Sequence, residues 1–431
     1  MAIAVTLDPL TTYSMNNSLF DSENDSLMYS GDSGVEGGVM PYNPWLDTSC
    51  YEMVAAGKYF PVDFSLVSPE LLINIGVFYR LHNYILKFYV SPLVALFGIL
   101  MNGLFLFVLA RVREMKTATN VYLANLAVAD IMFLVLSAVD LLRTWNSNPG
   151  ILLHFPYYTT AQCVSFSLLM KLTFYGSVCM VTLVTFERYM AICHPLKHRM
   201  IIGKKYTLKV TVVAWIAATT MGSLGSMIHV RSDSTCFLWP PGLKEMARYH
   251  IGDVQTICFS LTLSWYNVSY GIQSSFFIVN LILNIVLYTL IVARLGKRNI
   301  GGEGSQERQN DVQRVRNQVA KMLIINGTIF FILMLPYEIH TAAEFVGSVT
   351  WYKVLIDPVM VRNFEFYGTC LRFVNSSLNP LIYGLSNPRY RQAYRKAFGC
   401  CLKAEQGHPV VKFKEKVVTG STNADVQTNK L

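Results

Sequence analysis

The chain has 431 residues, of which 52% are hydrophobic, 13% aromatic and only 15% charged. That balance, with a positive mean hydropathy, excludes an ordinary water-soluble domain of this length and points to a polytopic membrane protein. The formal net charge of +9 does not indicate nucleic-acid binding, because the basic residues flank hydrophobic spans instead of forming one continuous stripe.

Residues 1–85 are acidic, contain Ser, Asn and Gly, and lack sustained periodicity, which predicts a mostly disordered extracellular tail without a packed domain. Met1 to Leu10 has no basic flank and no long apolar core, so no cleavable signal peptide is expected and the first span directs insertion. Asn16 and Asn24 are glycosylation acceptor sequons in this tail, and Asn267 is a third in the loop before the fifth span. Asn326 and Asn375 match the same tripeptide but fall inside spans.

Seven apolar segments, at 88–110, 121–142, 164–186, 210–230, 272–293, 322–347 and 364–385, can each cross a hydrocarbon core that takes about 20 helical residues. An odd number puts the termini on opposite faces. The segment before the first span carries Asp21, Glu23, Asp25, Asp32, Glu36, Asp47, Glu52 and Asp63, whereas the loop after it holds Arg111, Arg113 and Lys116. Basic clusters after the third span (Lys197, Arg199, Lys204, Lys205), the fifth (Arg294, Lys297, Arg298, Arg314, Arg316) and the seventh (Arg389, Arg391, Arg395, Lys396) fall on the same side. The expected orientation is a multi-pass protein of the plasma membrane, amino terminus outside and carboxyl terminus in the cytoplasm.

Nine cysteines divide by this topology. Cys50, Cys163, Cys236 and Cys258 fall outside, where disulfides persist; Cys179 and Cys370 lie within spans; Cys193, Cys400 and Cys401 face the reducing cytosol. The outer four allow three pairings, and the long loop at 231–270 offers both Cys236 and Cys258 to Cys163.

Polar residues inside spans carry the functional reading. Glu187-Arg188-Tyr189 ends the third span and is followed by Pro195 and Leu196; a charge at a bilayer edge either functions or snorkels to the headgroups. Asp130 in mid-span two is costly unless protonated, paired or bound to a cation. Ser177, Asn375, Ser376 and Asn379 offer hard oxygens that suit a sodium ion with water, the alternative being a hydrated network without an ion. On span seven, Asn379-Pro380-Leu381-Ile382-Tyr383 puts a proline hinge near the inner end, able to move Tyr383.

Asn102, Asp130, Glu187-Arg188-Tyr189, Trp215, Tyr288, Pro336 and Asn379-Pro380, one set per span, together resemble a rhodopsin-like (class A) G-protein-coupled receptor over roughly 86–398. The resemblance implies an all-α membrane protein: a seven-transmembrane helix bundle (86–386) with a short amphipathic eighth helix (387–399). It also implies that Glu187 holds Arg188 when inactive, and that Arg188 meets Tyr288 and the G protein after the sixth helix swings out, with Tyr383 nearby. Leu196 matches the bulky residue that inserts into the G protein. Asp130, Ser177, Asn375 and Asn379 match the family's sodium pocket. Cys163 with Cys258 matches its outer disulfide, which leaves Cys50 and Cys236 for a second bridge. The chain departs from the family pattern at Leu333-Met334-Leu335-Pro336, which lacks the usual tryptophan, at Asn280 in place of a mid-helix proline, and at Arg316 where many members carry an acid. With Arg316 there, the restraint on Arg188 is expected to rest mainly on Glu187.

By the same resemblance, the amine-binding aspartate corresponds to Met170 and the retinal-bearing lysine to Phe373, so amine and retinal ligands drop away. The outer half instead carries Asp140, Lys171, Glu338, His340, Glu344, Glu365 and Arg372, with Phe174, Met334, Tyr337 and Thr369 completing the expected pocket beside Met170. Buried charges of both signs either pair internally, as Arg372 with Glu338, or meet a charged ligand. Such a pocket, with Trp239-Pro240-Pro241 and Trp265-Tyr266 in the outer loop, fits an extracellular peptide, and residues 115–130 and Cys193-His194-Pro195-Leu196 look like those of neuropeptide receptors. The expected partners are this ligand and a heterotrimeric G protein. A lipid or small-molecule receptor of the same fold is the alternative; an ion transporter or channel running through Asp130, Lys171, Glu338 and Arg372 is a further one, although the chain lacks the internal repeats of transporters. No phosphate loop, paired-cysteine metal motif or His-Glu-x-x-His is present, so the chain is not read as an enzyme, and no cofactor is expected beyond the sodium ion.

At the inner end, Asn387 caps and Pro388 opens a helix whose Tyr390, Ala393, Tyr394, Ala397 and Phe398 share one face, with Arg391, Gln392, Arg395 and Lys396 on another, suited to lying on membrane lipid. Cys400 and Cys401 follow as candidate palmitoylation sites, free thiols being the simpler alternative. Residues 400–431 form a cytoplasmic tail in which Thr419, Ser421, Thr422 and Thr428 are candidate receptor-kinase and arrestin sites.

Overall fold

The computed structural model describes residues 62–63, 81–147, 159–201, 203–229, 231–238, 254–259, 263–299, 307–350 and 357–399. All seven predicted spans are helical: Leu81–Arg111, Ala118–Ser147, Thr160–Cys193, Lys204–Gly225, Leu263–Asn299, Glu307–Val349 and Pro358–Ser386. Six of them are long and apolar enough to cross a membrane by length and composition alone. The seventh falls short because it carries Arg362, Glu365, Arg372, Asn375 and Asn379; those polar groups are tolerated where neighbouring helices surround them.

Local chemistry shapes the ends. In span one the residues Leu86–Val90 form a π-helical turn just before Pro92. A proline lacks its N–H and crowds the carbonyl four residues back, so the helix widens there, and Ser91 Oγ donates to the Leu86 carbonyl at 2.9 Å. Spans five and six run past the expected membrane limits, the one to Asn299 and the other from Glu307. Glycine is needed at 368: a Cβ there would lie 2.5 Å from the Tyr337 nitrogen and 2.7 Å from its Cα, so spans six and seven meet backbone to backbone.

Phe105, Leu126, Tyr175, Met180, Phe277, Phe330 and Tyr383 are fully buried along the bundle axis. Leu93, Leu100, Val213, Ile216, Val279 and Ile332 point outward, as a hydrocarbon surround demands.

Outside the bundle, β1 (Val62–Asp63), β2 (Arg231–Leu238) and β3 (Val254–Phe259) form a three-stranded sheet in that order. β2 and β3 are antiparallel, and β1 lies parallel to β2 with Val62 opposite Phe237. The expected topology gains two details here. The amino-terminal tail contributes a strand at 62–63, because the edge of β2 offers unpaired backbone groups to an extended segment. The loop at 231–270 contains the antiparallel strands β2 and β3 and, from Leu263, the first two turns of span five.

Candidate functional site

The cytoplasmic end of span three holds a tight polar cluster. Arg188 Nε donates to Glu187 Oε2 at 2.6 Å and its Nη2 to Glu187 Oε1 at 2.9 Å. Thr119, at the start of span two, donates its hydroxyl to Glu187 Oε2 at 3.0 Å and accepts from Arg188 Nη2. His198 Nε2 lies 2.9 Å from Glu187 Oε1. Glu187 is buried, so its charge is satisfied by three different groups at once. In line with the expected restraint, two of the contacts of Arg188 are with Glu187; a third is with the Thr119 hydroxyl on another helix, and the His198 imidazole meets Glu187. Arg316 has its side chain outside the described residues. Tyr189 Oη meets His194 Nε2 at 3.1 Å. Pro195 opens a short helix, Pro195–Ile201, on which Leu196 and Met200 are 79% and 86% exposed.

Neither Tyr288 nor Tyr383 is hydrogen-bonded to Arg188 among the described residues. Thr185 Oγ1 donates to Tyr288 Oη at 3.1 Å. Tyr383 is buried between the rings of Phe105 (5.2 Å) and Tyr390 (5.8 Å) and faces Asn326. Tyr390 lies on the helix Pro388–Phe398, capped by Asn387 Oδ1, which accepts from the Arg389 N–H at 3.0 Å. Its hydroxyl donates to Asn120 Oδ1 at 2.6 Å, and burial raises the Tyr390 phenol above its ordinary range. Thr119 and Asn120 are adjacent, so one turn of span two touches both the Arg188 cluster and the eighth helix. On the same surface Lys396 Nζ donates to Glu114 Oε1 at 3.0 Å; the Glu114 backbone, and then Lys396, hold that carboxyl below its ordinary range.

In mid-bundle, Asn379 Nδ2 donates to Asp130 Oδ2 at 2.7 Å, and Ser376 also bonds the carboxylate. Asn102 Nδ2 donates to the carbonyls of Gly98 (2.9 Å) and Ser376 (2.8 Å). Ser177, Asn375 and Ser376 are buried around the same axis. A carboxylate with hydroxyl and amide oxygens about it fits a small hard cation by donor chemistry. Trp215 Nε1 donates to Asn125 Oδ1 at 2.9 Å, joining spans four and two.

In the outer half, Lys171 donates to Gln273 Oε1, and Gln273 Nε2 donates to Glu338 Oε1 at 3.0 Å. A neutral amide thus separates the ammonium from the carboxylate. Glu338 is buried, and its Oε2 has no hydrogen-bond partner among the described residues. Of the two alternatives for these charges, the Arg372–Glu338 salt bridge is not formed: the two are not within ion-pair distance. The Arg372 guanidinium instead lies 4.7 Å from the Phe133 ring and 4.6 Å from the Tyr337 ring, since aromatic faces attract a cation and shed less water than a second charge would. Higher up, Tyr266 Oη donates to Glu344 Oε2 at 2.8 Å and Lys171 Nζ lies 5.8 Å from the Tyr270 ring. Phe174 and Met334 are buried in the core beneath. Met170 and Asp140 are half-buried, Thr369 Oγ1 donates to the Glu365 carbonyl at 2.8 Å, and Glu365 is exposed at the rim.

Cys163 and Cys258 form a disulfide with their Cα atoms 5.9 Å apart, tying β3 to the outer end of span three. Asn267 is corrected from loop to helix: it lies in the second turn of span five, and Ser269 of its sequon is fully buried and donates to the Gly225 carbonyl at 2.6 Å. Asn16, Asn24, Cys50, Cys400, Cys401 and residues 419–428 lie outside the described residues, as does the side chain of Cys236.

Sequence reasoning missed Thr119, His198, Gln273 and the Thr182 contacts with span five. Gln273, Asn280 and Asn284 carry a signal in hindsight, being polar residues at helical spacing inside an apolar run; Thr119 and His198 carry none.

A family profile described as "7 transmembrane receptor (rhodopsin family)" matches residues 101–383. The thyrotropin-releasing hormone receptor of Gallus gallus is 27% identical over 338 residues, covering 72% of this chain and 77% of that protein. The same receptor of Homo sapiens is 27% identical over 328 residues, 70% of this chain and 75% of that one. The growth hormone secretagogue receptor type 1 of Sus scrofa is 28% identical over 317 residues, 71% and 79% of the two chains. With the profile spanning more than half its length across a seven-helix bundle, the chain belongs to the rhodopsin family of seven-transmembrane receptors: a multi-pass signal-transducing receptor and not an enzyme.

Proposed function

We propose that this receptor binds an extracellular peptide in the outer half of its bundle and activates a heterotrimeric G protein at the end marked by Arg188. The observation that carries this is the Lys171–Gln273–Glu338 chain. It presents opposite charges in one buried layer without letting them neutralise each other directly, an arrangement suited to a ligand with charged and amide groups. The similarity to receptors named for hormones supports it.

In this reading the amino terminus is extracellular, Arg188 leaves Glu187 and Thr119 when span six moves, and Leu196 and Met200 dock on the G protein. Asp130, Ser177, Asn375, Ser376 and Asn379 hold a sodium ion that stabilises the resting state. Cys50 pairs with Cys236, Asn16 and Asn24 carry glycans, Cys400 and Cys401 carry palmitate, and the tail recruits receptor kinase and arrestin.

A synthetic peptide library read out through several chimeric G proteins tests the proposal. Activation by peptides, lost in an Arg188→Ala form at equal surface expression, is expected. Activation only by protease-resistant lipid fractions of tissue extracts would overturn the peptide assignment.

A further inference from the structure

Between the outer pocket and the Arg188 cluster, spans three and five are joined by a buried polar seam. Thr182 Oγ1 donates to Asn280 Oδ1 at 3.0 Å and accepts from Asn284 Nδ2 at 2.9 Å. One turn nearer the cytoplasm, Thr185 meets Tyr288 at 3.1 Å. Residues 280, 284 and 288 recur every four positions and so share one face of span five, opposite Thr182 and Thr185. Gln273, seven residues before Asn280, falls on the same stripe.

These contacts exceed what tolerance of an amide in hydrocarbon requires. Asn280 Nδ2 already donates to the Phe276 carbonyl at 2.9 Å, and Asn284 Nδ2 to the Asn280 carbonyl at 2.8 Å. The bonds to Thr182 are additional, and they run between helices. The seam is also incomplete. Asn284 is fully buried, yet its Oδ1 has no hydrogen-bond partner among the described residues. A bare buried carbonyl is a local cost that rotation of the helix toward a donor or water relieves. Two bonds to Thr182 thus hold the helices together at this level. No proline interrupts span five, so displacement at Gln273 is carried along a continuous helix to Tyr288.

We infer that Asn280 and Asn284, through Thr182, are positioning residues of the transduction step: they keep span five against span three, hold Tyr288 on Thr185 and so deny it to Arg188. A ligand that draws Gln273 outward opens the seam from its upper end. The seam itself acts without regard to the ligand's identity, so its test uses none.

Membranes with equal surface densities of receptor are assayed for ligand-independent GTPγS binding to G protein. Asn280→Leu and Asn284→Leu each raise that basal rate about threefold, the effect of losing one ordinary interhelical hydrogen bond in a membrane, and Thr182→Val, which removes both bonds, raises it further. Thr182→Ser keeps the hydroxyl and stays at the wild-type rate. Thr182→Val combined with Asn280→Leu rises no further than Thr182→Val alone, since valine has already removed the bond that Asn280→Leu would break. The Thr182 pair decides the matter even where an asparagine variant fails to reach the surface, because valine and serine both fit the site. Equal basal rates in Thr182→Val and Thr182→Ser, at zero included, would overturn the inference.

Discussion

Thr119 Oγ1 touches both members of the Glu187–Arg188 pair, donating to the carboxylate at 3.0 Å and accepting from the guanidinium. The restraint on Arg188 is therefore a bond between spans two and three, not merely one between neighbours in sequence. Thr119→Val preserves the shape and deletes the hydroxyl, at a cost to the closed state of about 1 kcal/mol. Ligand-independent second-messenger production should rise several-fold at matched expression, with Thr119→Ser unchanged. An unaltered baseline in the valine form would show that Glu187 and His198 suffice.

The Tyr390–Asn120 bond of 2.6 Å anchors the eighth helix to span two. Tyr390→Phe keeps the ring contact with Tyr383 and leaves Asn120 Oδ1 without its donor inside the protein, costing about 1–3 kcal/mol. A lower melting temperature of the detergent-solubilised receptor checks this. An unchanged melting temperature would mean that water replaces the hydroxyl.

Lys171 and Arg372 are bound differently, the first through Gln273 and the second between two rings. Lys171→Met and Arg372→Met should each lower the potency of an activating peptide at least tenfold, about 1.4 kcal/mol or more, with surface expression kept near wild type. Dose–response curves against the same peptide are the measurement, and coincident curves would remove the substituted residue from the binding site.

Glu114 and Lys396 form an exposed pair at the cytoplasmic surface. The carboxyl is held below its ordinary range, chiefly by its own backbone, so whatever the contact contributes is present above the unfolded carboxylate range and is lost as pH falls through the lowered value. Solvent screens such a pair. Lys396→Ala should therefore leave thermal stability unchanged from about pH 5 to about pH 8. A stability loss confined to that window would reveal an ordering role for the eighth helix.

Much of this architecture was legible because hydrocarbon imposes a single length and composition on a spanning helix. Span seven was read like the others, as an apolar segment at 364–385, and Asn379-Pro380 and Tyr383 marked its inner end, although its helix is too polar to pass on hydropathy. The family assignment likewise followed from one polar landmark per span. What resisted prediction was the identity of side-chain partners. Arg372 announced a charge in the bundle, but the rings that receive it come from spans two and six, and spacing along span seven says nothing of them. Thr119 sits 68 residues from Glu187, an ordinary threonine at a helix start until the bundle closes. The pairing of β2 and β3 was hidden because Arg-Ser-Asp-Ser-Thr-Cys-Phe-Leu lacks the alternation of a half-buried strand.

The contact of Gly368 with Tyr337 divides the sixth span into two unequal arms. From Tyr337 the spanning helix runs 12 residues outward to Val349 and 20 inward to Asn317, arms of about 18 Å and about 30 Å at 1.5 Å per residue. Pro336 stands inside the helix immediately before that point, where a proline bends it. The glycine thus does more than permit close packing: it lets the seventh span rest against the sixth where the short outer arm meets the long inner one.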